Sequence, residues 1–274
     1  MKRKWGIGIV FLIGFLLCSC PLINNLIEHH RQTDIVSTYK KAAKLQEDRF
    51  TEMIKEAVEY NDMLFQSDGA LIDGMDSKLL SDDSYDSLLD ISGTGTMGCL
   101  DIPKIDVELP IYHGTDNDAL SNGVGHLRGT SLPVGGENTH CVLTGHRGLP
   151  SSKLLVRLDE IEKGDLLFIR LGNKTLAYKT VSIRVVEPED LSSLRIRPEE
   201  DLLSVVTCTP YGINTKRLIV TGKRVGYKKT DYDKIQEKIP SVRELIFTLI
   251  PLVFLMIVIV LFIIDRRRSY HKKK

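Results

Sequence analysis

One stretch of the sequence, residues 204–217, restricts the possible fold more than any other, because it predicts a β-hairpin. A β-branched run leads into Cys208, Thr-Pro ends that run, and the Tyr-Gly and Asn-Thr pairs that follow are typical of a turn. Arg217 then opens a second apolar run. Paired strands lie about 4.8 Å apart, so the hairpin would make Cys208 and Arg217 neighbours.

A thiol beside a fixed cation suits nucleophilic catalysis. The cation favours the thiolate form of Cys208, and Arg217 can also stabilise an oxyanion that forms during the reaction. A proton carrier is still needed, and His146 is the candidate, because it follows an alternating strand pattern and lies on a turn between two glycines. Histidine titrates near neutral pH, which suits it to general acid–base catalysis.

The other thiols and imidazoles of the body are weaker candidates for chemistry. They are Cys99, Cys141, His29, His30, His113, His126 and His140. Cys141 is the main rival nucleophile, but it lies inside a predicted strand, where a free cysteine usually behaves as a small buried hydrophobe. Each of the histidines, taken alone, is more often structural than catalytic. No CxxC pair or Cys/His ligand spacing is present, so we expect no metal and no cofactor, whereas a disulfide within the body stays open.

Both ends of the chain predict membrane segments. Residues 245–264 run for twenty positions without a charge, and a helix of that length spans about 30 Å, the thickness of the bilayer core. The basic tail, residues 265–274, places that end in the cytoplasm. Residues 1–27 repeat the pattern more weakly, as a membrane anchor or a signal segment. We therefore expect a protein of the cell membrane whose body, from about residue 28 to residue 243, is extracellular.

The charge is distributed unevenly. The formal net charge of +1 includes basic residues at both ends, and residues 5–264 hold 28 Lys and Arg against 35 Asp and Glu. An acidic body argues against a nucleic-acid partner.

The N-terminal half of the body divides into two parts. In residues 33–66, apolar residues recur at helical spacing among Lys and Glu, which predicts one or two helices in a stalk of residues 28–66. Residues 67–96 are rich in Ser, Asp and Gly and predict a mobile linker or lid-like region, with a domain boundary near residues 93–95.

From Met97 onwards the sequence changes to short strands separated by turns. The predicted strands are Gly98–Ile102, Val107–Tyr112, His126–Leu127, Thr139–Gly145, Leu166–Arg170, Thr175–Val186, Leu202–Cys208 and Arg217–Arg224. Eight short strands with few helices between them indicate a mainly β fold, a closed or nearly closed β-barrel over residues 97–227. A charged linker, residues 228–244, leads to the apolar C-terminal segment.

Three separated segments of the barrel region carry a family resemblance. They are residues 98–114, the segment that ends in Thr144-Gly145-His146-Arg147-Gly148, and the segment Thr207-Cys208-Thr209-Pro210-Tyr211-Gly212 with Asn214-Thr215-Lys216-Arg217-Leu218. In this order and spacing they resemble the sortases, and specifically the class C, pilin-polymerising sortases of Gram-positive bacteria. The resemblance runs from about residue 93 to residue 225, and a membrane helix at each end fits the same class.

The resemblance implies a substrate and a role for each site residue. Cys208 would attack the Thr–Gly carbonyl of an LPXTG-like sorting signal and form a thioacyl enzyme. His146 would move the protons, and Arg217 would hold the substrate and stabilise the oxyanion. The partners would be pilin subunits, one of which supplies a lysine amine, so that the product is an isopeptide-linked polymer.

One departure from the class concerns the lid. Many class C sortases cover the cysteine with a lid that carries an Asp-Pro-aromatic motif, but residues 67–92 contain no proline. The nearest candidates are residues 73–76 and residues 82–85. We therefore predict an absent or weakly engaged lid.

Two alternative functions stay open. A housekeeping sortase that anchors surface proteins to cell-wall peptide would share Cys208, His146 and Arg217, but the predicted C-terminal membrane helix argues against it. A non-catalytic scaffold for pilus assembly would need no such trio, so the trio argues against that function.

Overall fold

The computed structural model describes residues 2–67, 85–148, 154–236, 249–250, 252–261 and 263–264. The chain divides into two units, one of residues 1–27 with 238–274 and the other of residues 28–237. Within the described ranges, none of the helices has both the length and the apolar character needed to cross a bilayer. The predicted basic tail, residues 265–274, lies outside those ranges, and the membrane segments at the two ends stay predictions.

Two helices precede the barrel, as the apolar spacing of residues 33–66 predicts. Helix α1 covers Lys2–Leu45 and helix α2 covers Glu47–Gln66. The residues that α2 buries recur every three or four positions, which places them on one face; they are Phe50, Met53, Ala57, Tyr60, Asn61 and Leu64. Asn61 is bonded to both backbone groups of Leu132, donating to its carbonyl at 3.2 Å and accepting from its N–H at 2.7 Å. Helix α2 is therefore fixed to the barrel by a specific polar contact as well as by apolar packing.

All eight predicted strands are present. They are β1 (Thr96–Ile102), β2 (Val107–His113), β3 (Val124–His126), β4 (Thr139–Thr144), β5 (Leu166–Leu171), β6 (Lys174–Val186), β7 (Asp201–Thr209) and β8 (Lys216–Val225). The third strand differs most, because it begins two residues before the predicted start and ends one residue before the predicted end. The prediction of a closed eight-stranded β-barrel preceded by N-terminal helices is confirmed.

The strands close into a barrel in the order β1-β2-β3-β4-β7-β8-β6-β5. Two neighbouring pairs are parallel, β2 with β3 and β4 with β7, and the others are antiparallel. Side chains from the strands and from α2 form one continuous main core, which includes Leu100, Leu143, Leu167 and Val205. A closed barrel leaves no strand edge exposed to pair with another chain.

A second, smaller apolar cluster lies on the other face of three neighbouring strands. It contains Val142 of β4, Val206 of β7 and Ile219 of β8, together with Leu194 from the connection before β7. Because strand side chains alternate between faces, residues two positions further along these strands share the face of this cluster.

Two short helices lie in the connections. Helix α3 (Asn117–Asn122) begins where the Asp116 carboxylate accepts the N–H of Ala119 at 2.8 Å. Helix α4 (Lys229–Tyr232) begins the segment predicted as a charged linker. The Tyr232 hydroxyl donates to the buried Asp101 carboxylate at 3.1 Å, so α4 is held against β1.

Two buried histidines hold the barrel wall through neutral rings. Burial lowers the pKa of His126 and of His140 from 6.5 to about 4. In His140, Nδ1 bonds to the carbonyl of Arg195 at 2.9 Å and Nε2 bonds to the Ser204 hydroxyl at 2.8 Å. A carbonyl can only accept, so Nδ1 carries the proton, and Nε2 of the neutral ring can accept from the Ser204 hydroxyl.

We expect the free energy of unfolding to fall as the pH drops from 6.5 towards about 4. The folded-state pKa of each buried histidine lies below the unfolded value, so in this window the unfolded chain binds protons that the folded chain excludes. At about pH 4.5 the loss is roughly 2 kcal/mol for each histidine. Urea denaturation followed by circular dichroism at about pH 7 and about pH 4.5 measures the loss.

A pair of variants assigns the effect to the buried ring. His140→Gln should show a smaller difference in unfolding free energy between the two pH values than the wild type, because one excluded proton is gone. His30→Gln, at an exposed position, should keep the full difference. An unchanged difference in His140→Gln would contradict the prediction.

Candidate active site

The strand order brings the three candidate residues to one end of neighbouring strands. In the barrel, β4, β7 and β8 are consecutive, although β5 and β6 separate β4 from β7 in sequence. Since β4 and β7 are parallel, both end at the same edge of the barrel. β8 is antiparallel to β7, so its first residues lie beside the last residues of β7.

The register aligns the three residues. Cys208 pairs directly with Arg217 in the β7–β8 ladder, as the hairpin predicts. On the other side of β7, the last registered pair is Thr144 with Val206. His146 comes two residues after Thr144 and Cys208 two residues after Val206, so the parallel register places His146 at the level of Cys208. Neighbouring strands are about 4.8 Å apart, so the three residues occupy adjacent backbone positions on consecutive segments of the barrel wall.

All three side chains are partly open to solvent. His146, Cys208 and Arg217 are each half-buried, whereas Thr207 is fully buried. By strand alternation Cys208 and Arg217 share the face of the second apolar cluster, beyond Val206 and Ile219 respectively. The Cys208 and Arg217 side chains therefore lie beside this buried apolar cluster and keep part of their surface open to solvent.

The backbone around His146 is bonded to the strand that carries Cys208. The N–H of Gly145 donates to the carbonyl of Val206 at 3.1 Å, and the Thr207 hydroxyl donates to the carbonyl of Gly145 at 2.8 Å. The carbonyl of His146 itself accepts the N–H of Leu155 at 3.2 Å. His146 lies beyond the end of β4, and the two bonds of Gly145 hold this segment beside β7.

The Arg217 guanidinium is held by the turn of its own hairpin. Its Nη1 donates to the carbonyl of Asn214 at 3.3 Å and to the carbonyl of Lys216 at 3.2 Å. Asn214 adopts a positive φ of 61°, a conformation that asparagine tolerates better than most residues. The Asn-Thr pair that predicts the turn therefore also places a carbonyl under the arginine.

The rival nucleophiles are in environments that suppress their reactivity. Cys99 and Cys141 are free thiols with exposures of 0% and 2%, and burial raises the pKa of both well above the usual range. A thiol that stays protonated is a poor nucleophile. Cys208, also free, is the half-buried one of these three. The disulfide that the sequence leaves open is absent among them.

The rival histidines are bonded into the structure. His126 accepts from the Tyr85 hydroxyl at 2.7 Å and bonds to the carbonyl of Ser131 at 3.0 Å. In His113, the two ring nitrogens bond to the carbonyls of Gly95 and Leu88, at 3.0 and 2.7 Å. These contacts fix the end of the predicted linker to β2 and β3. In the described ranges, no group of three His, Cys, Asp or Glu side chains is arranged to hold a metal ion.

The lid prediction falls mostly on residues 68–84, which lie outside the described residues, so it stays a prediction. The described end of that segment begins at Tyr85, whose side chain is 1% exposed. Its ring packs at 5.2 Å from the ring of His113 and lies under the guanidinium of Arg128 at 4.3 Å. Tyr85 therefore attaches the segment to β2 and to the loop after β3.

Sequence reasoning gave no role to two residues beside the site. The Arg147 guanidinium donates from Nη1 to the Thr209 hydroxyl at 2.7 Å and is ion-paired with Asp159. The contact exists only because β4 and β7 are neighbours, so nothing in the spacing of the sequence indicates it. The sequence offers only one hint of this contact: Arg147 directly follows His146, and Thr209 directly follows Cys208.

Comparisons with known proteins agree with this geometry. The family model described as "Sortase domain" matches residues 100–225. Sortase D of Bacillus subtilis is 40% identical over 131 residues, which cover 47% of this chain and 63% of that protein. The matched part thus spans less than two thirds of that relative's own length.

Solved structures of class C sortases are similar over a larger part of the chain. Sortase C1 of Streptococcus agalactiae has a TM-score of 0.65 and 41% identity, with 73% of this chain and 100% of that chain covered. Sortase C of Clostridium perfringens, solved with a C-terminal cell wall sorting motif, has a TM-score of 0.60 and 38% identity, with 71% and 100% covered.

The difference in burial predicts which body cysteine reacts. At about pH 7, iodoacetamide should alkylate Cys208 at least roughly 100-fold faster than Cys99 or Cys141, because a buried thiol with a raised pKa is seldom a thiolate. Peptide mapping by mass spectrometry separates these three sites from Cys18 and Cys20. Cys141→Ala serves as the control and should leave the labelling of Cys208 unchanged, whereas rapid labelling of Cys141 in the folded protein would contradict the assignment.

Proposed function

The chain belongs to the sortase family, and we propose that it is a cysteine transpeptidase that joins pilin subunits through isopeptide bonds. The observation that carries this proposal is the register of β4, β7 and β8, which aligns His146, Cys208 and Arg217 at one edge of the barrel. The similarity to class C sortases supports the choice of pilins as substrates.

The first half of the proposed reaction forms a thioacyl enzyme. The thiolate sulfur of Cys208 bonds to the carbonyl carbon of Thr in an LPXTG-like sorting signal. The bond from that carbon to the Gly nitrogen then breaks, and His146 gives the nitrogen a proton. Arg217, across the ladder from Cys208, stabilises the negative charge on the carbonyl oxygen.

The second half transfers the acyl group to an amine. The nitrogen of a pilin lysine bonds to the thioester carbon and loses a proton to His146, and the carbon–sulfur bond breaks to regenerate the Cys208 thiolate. The transfer needs no further energy source, because the amide that forms is more stable than the thioester that breaks. The product is an isopeptide bond between two pilins.

The proposal is tested with the full chain, a peptide that contains LPXTG and a purified pilin domain. Mass spectrometry should find a thioacyl adduct on Cys208 and pilin–pilin isopeptide products. Cys208→Ala should abolish both, and Arg217→Lys should slow adduct formation by roughly 100-fold, because a point charge replaces the fork of donors. Cys141→Ala is the matched control and should keep full activity.

The outcomes separate the alternative functions. An adduct that is resolved only by a cell-wall peptide amine, and not by a pilin lysine, would favour a housekeeping sortase that anchors surface proteins. The absence of an adduct on any cysteine, with pilin binding retained, would favour a non-catalytic scaffold. Full adduct formation in Cys208→Ala would refute the assignment of the nucleophile.

We also propose that the protein is held in the cell membrane at both ends, with the barrel outside. The support is the uncharged run of residues 245–264 and the basic residues on the outer sides of both apolar segments. In protoplasts, added protease should digest the barrel and leave a tag fused after Lys274 intact. Loss of the tag before the protoplasts are lysed would contradict this orientation.

A further inference from the structure

Arg147 is a buried arginine whose side chain joins two parts of the site. Its side chain is 7% exposed, and it is ion-paired with Asp159, which lies in the short helix of residues 158–160. Its Nη1 also donates to the Thr209 hydroxyl at 2.7 Å. The guanidinium thus connects the loop after β4, the end of β7 and a third segment of the chain.

Two hydrogen bonds flank His146 and Cys208, and Arg147 makes one of them. The first bond joins the residues that precede the two: the Thr207 hydroxyl donates to the carbonyl of Gly145 at 2.8 Å. The second bond joins the residues that follow them: Arg147 donates to the Thr209 hydroxyl. Both bonds join β7 to the segment that follows β4, so together they fix the position of His146 relative to Cys208.

The hydrogen bonding of Arg147 indicates that its place is set by these two connections. Its Nε is buried and has no hydrogen-bond partner within the described residues. A guanidinium that served only to fill a polar cavity would be expected to satisfy all of its donors. Here Nη1 and Nη2, which make the two connections, are partnered and Nε is not, so the two connections set the position of the guanidinium.

We propose that Arg147 is a positioning residue for the reaction, which holds His146 at the distance from Cys208 that proton transfer requires. The inference rests on the proposed function, because it assigns the proton to His146 and the nucleophile to Cys208. Arg147 acts through the Thr209 hydroxyl and the Asp159 carboxylate and forms no bond to the substrate. A displacement of about 1 Å in a reacting group can reduce a rate by roughly 100-fold.

The test uses a matched pair of variants of the full chain. Thr209→Val keeps the size of the side chain and removes the hydroxyl that Arg147 binds, whereas Thr209→Ser keeps the hydroxyl. We expect Thr209→Val to lower kcat for cleavage of an LPXTG peptide by roughly 10-fold, with KM within about 2-fold of the wild type. Thr209→Ser should retain at least half of the wild-type kcat, and Arg147→Gln should resemble Thr209→Val or be slower.

A second arginine controls for a purely structural effect. The Arg157 side chain is buried to a similar extent, at 9% exposed, and pairs with Glu160 through Nε and Nη2, at 3.2 Å each. Arg157→Gln should lower the melting temperature without lowering kcat per folded molecule. If Arg147→Gln loses activity only in proportion to its folded fraction, as Arg157→Gln does, or if Thr209→Val and Thr209→Ser have equal kcat, the positioning role is refuted.

A second readout separates this inference from the proposed function. The pH profile of iodoacetamide alkylation at Cys208 reports the surroundings of the thiol and needs no sorting signal. His146→Ala should shift that profile, Thr209→Val should shift it in the same direction, and Thr209→Ser should not. If the wild type forms no thioacyl adduct, the proposed function fails, and the profile still decides whether Arg147 and Thr209 position His146. Identical profiles for Thr209→Val and Thr209→Ser would refute the positioning role of Arg147.

Discussion

The site depends on one constraint, the parallel pairing of β4 with β7. In a barrel of hairpins alone, successive strands run in opposite directions, and the ends of neighbouring strands lie at opposite edges. Here the chain leaves β4, forms β5 and β6 on the far side of the barrel wall, and returns to place β7 beside β4 in the same direction. That crossover brings the end that carries His146 to the end that carries Cys208. The β7–β8 hairpin then adds Arg217 by local geometry alone.

The same three strands carry a second set of polar groups. Comparing His140 in that set with His146 explains why His146 is proposed as catalytic and His140 as structural. His140, Ser204 and Thr221 form a hydrogen-bonded chain across β4, β7 and β8, with 2.8 Å between each pair of side-chain atoms. His140 has no exposed surface, and burial lowers its pKa to about 4, so it stays neutral and supports the wall. His146 lies six residues later, past the strand end, where the side chain is half-exposed. Position along the strand separates the two roles.

The resemblance to class C sortases and the geometry support each other at different points. Similarity identifies the family and a class of solved relatives, and the register explains how three sequence segments form one site. Arg147 shows what geometry adds. Its bond to Thr209 links the residues that follow His146 and Cys208, and neither motif spacing nor residue type distinguishes this arginine from others near the site.

The sequence by itself determined the local elements. Alternation, β-branched runs and turn residues located all eight strands, and the hairpin of residues 204–217 predicted that Cys208 faces Arg217, because a hairpin register is set by a short turn. Only the tertiary structure decided the placement of His146. Strand pairing between segments about sixty residues apart depends on the closure of the whole barrel, which no local pattern encodes. Packing also decided burial. Cys99, Cys141 and Cys208 all lie in predicted strands, and their exposure depends on which neighbours cover them.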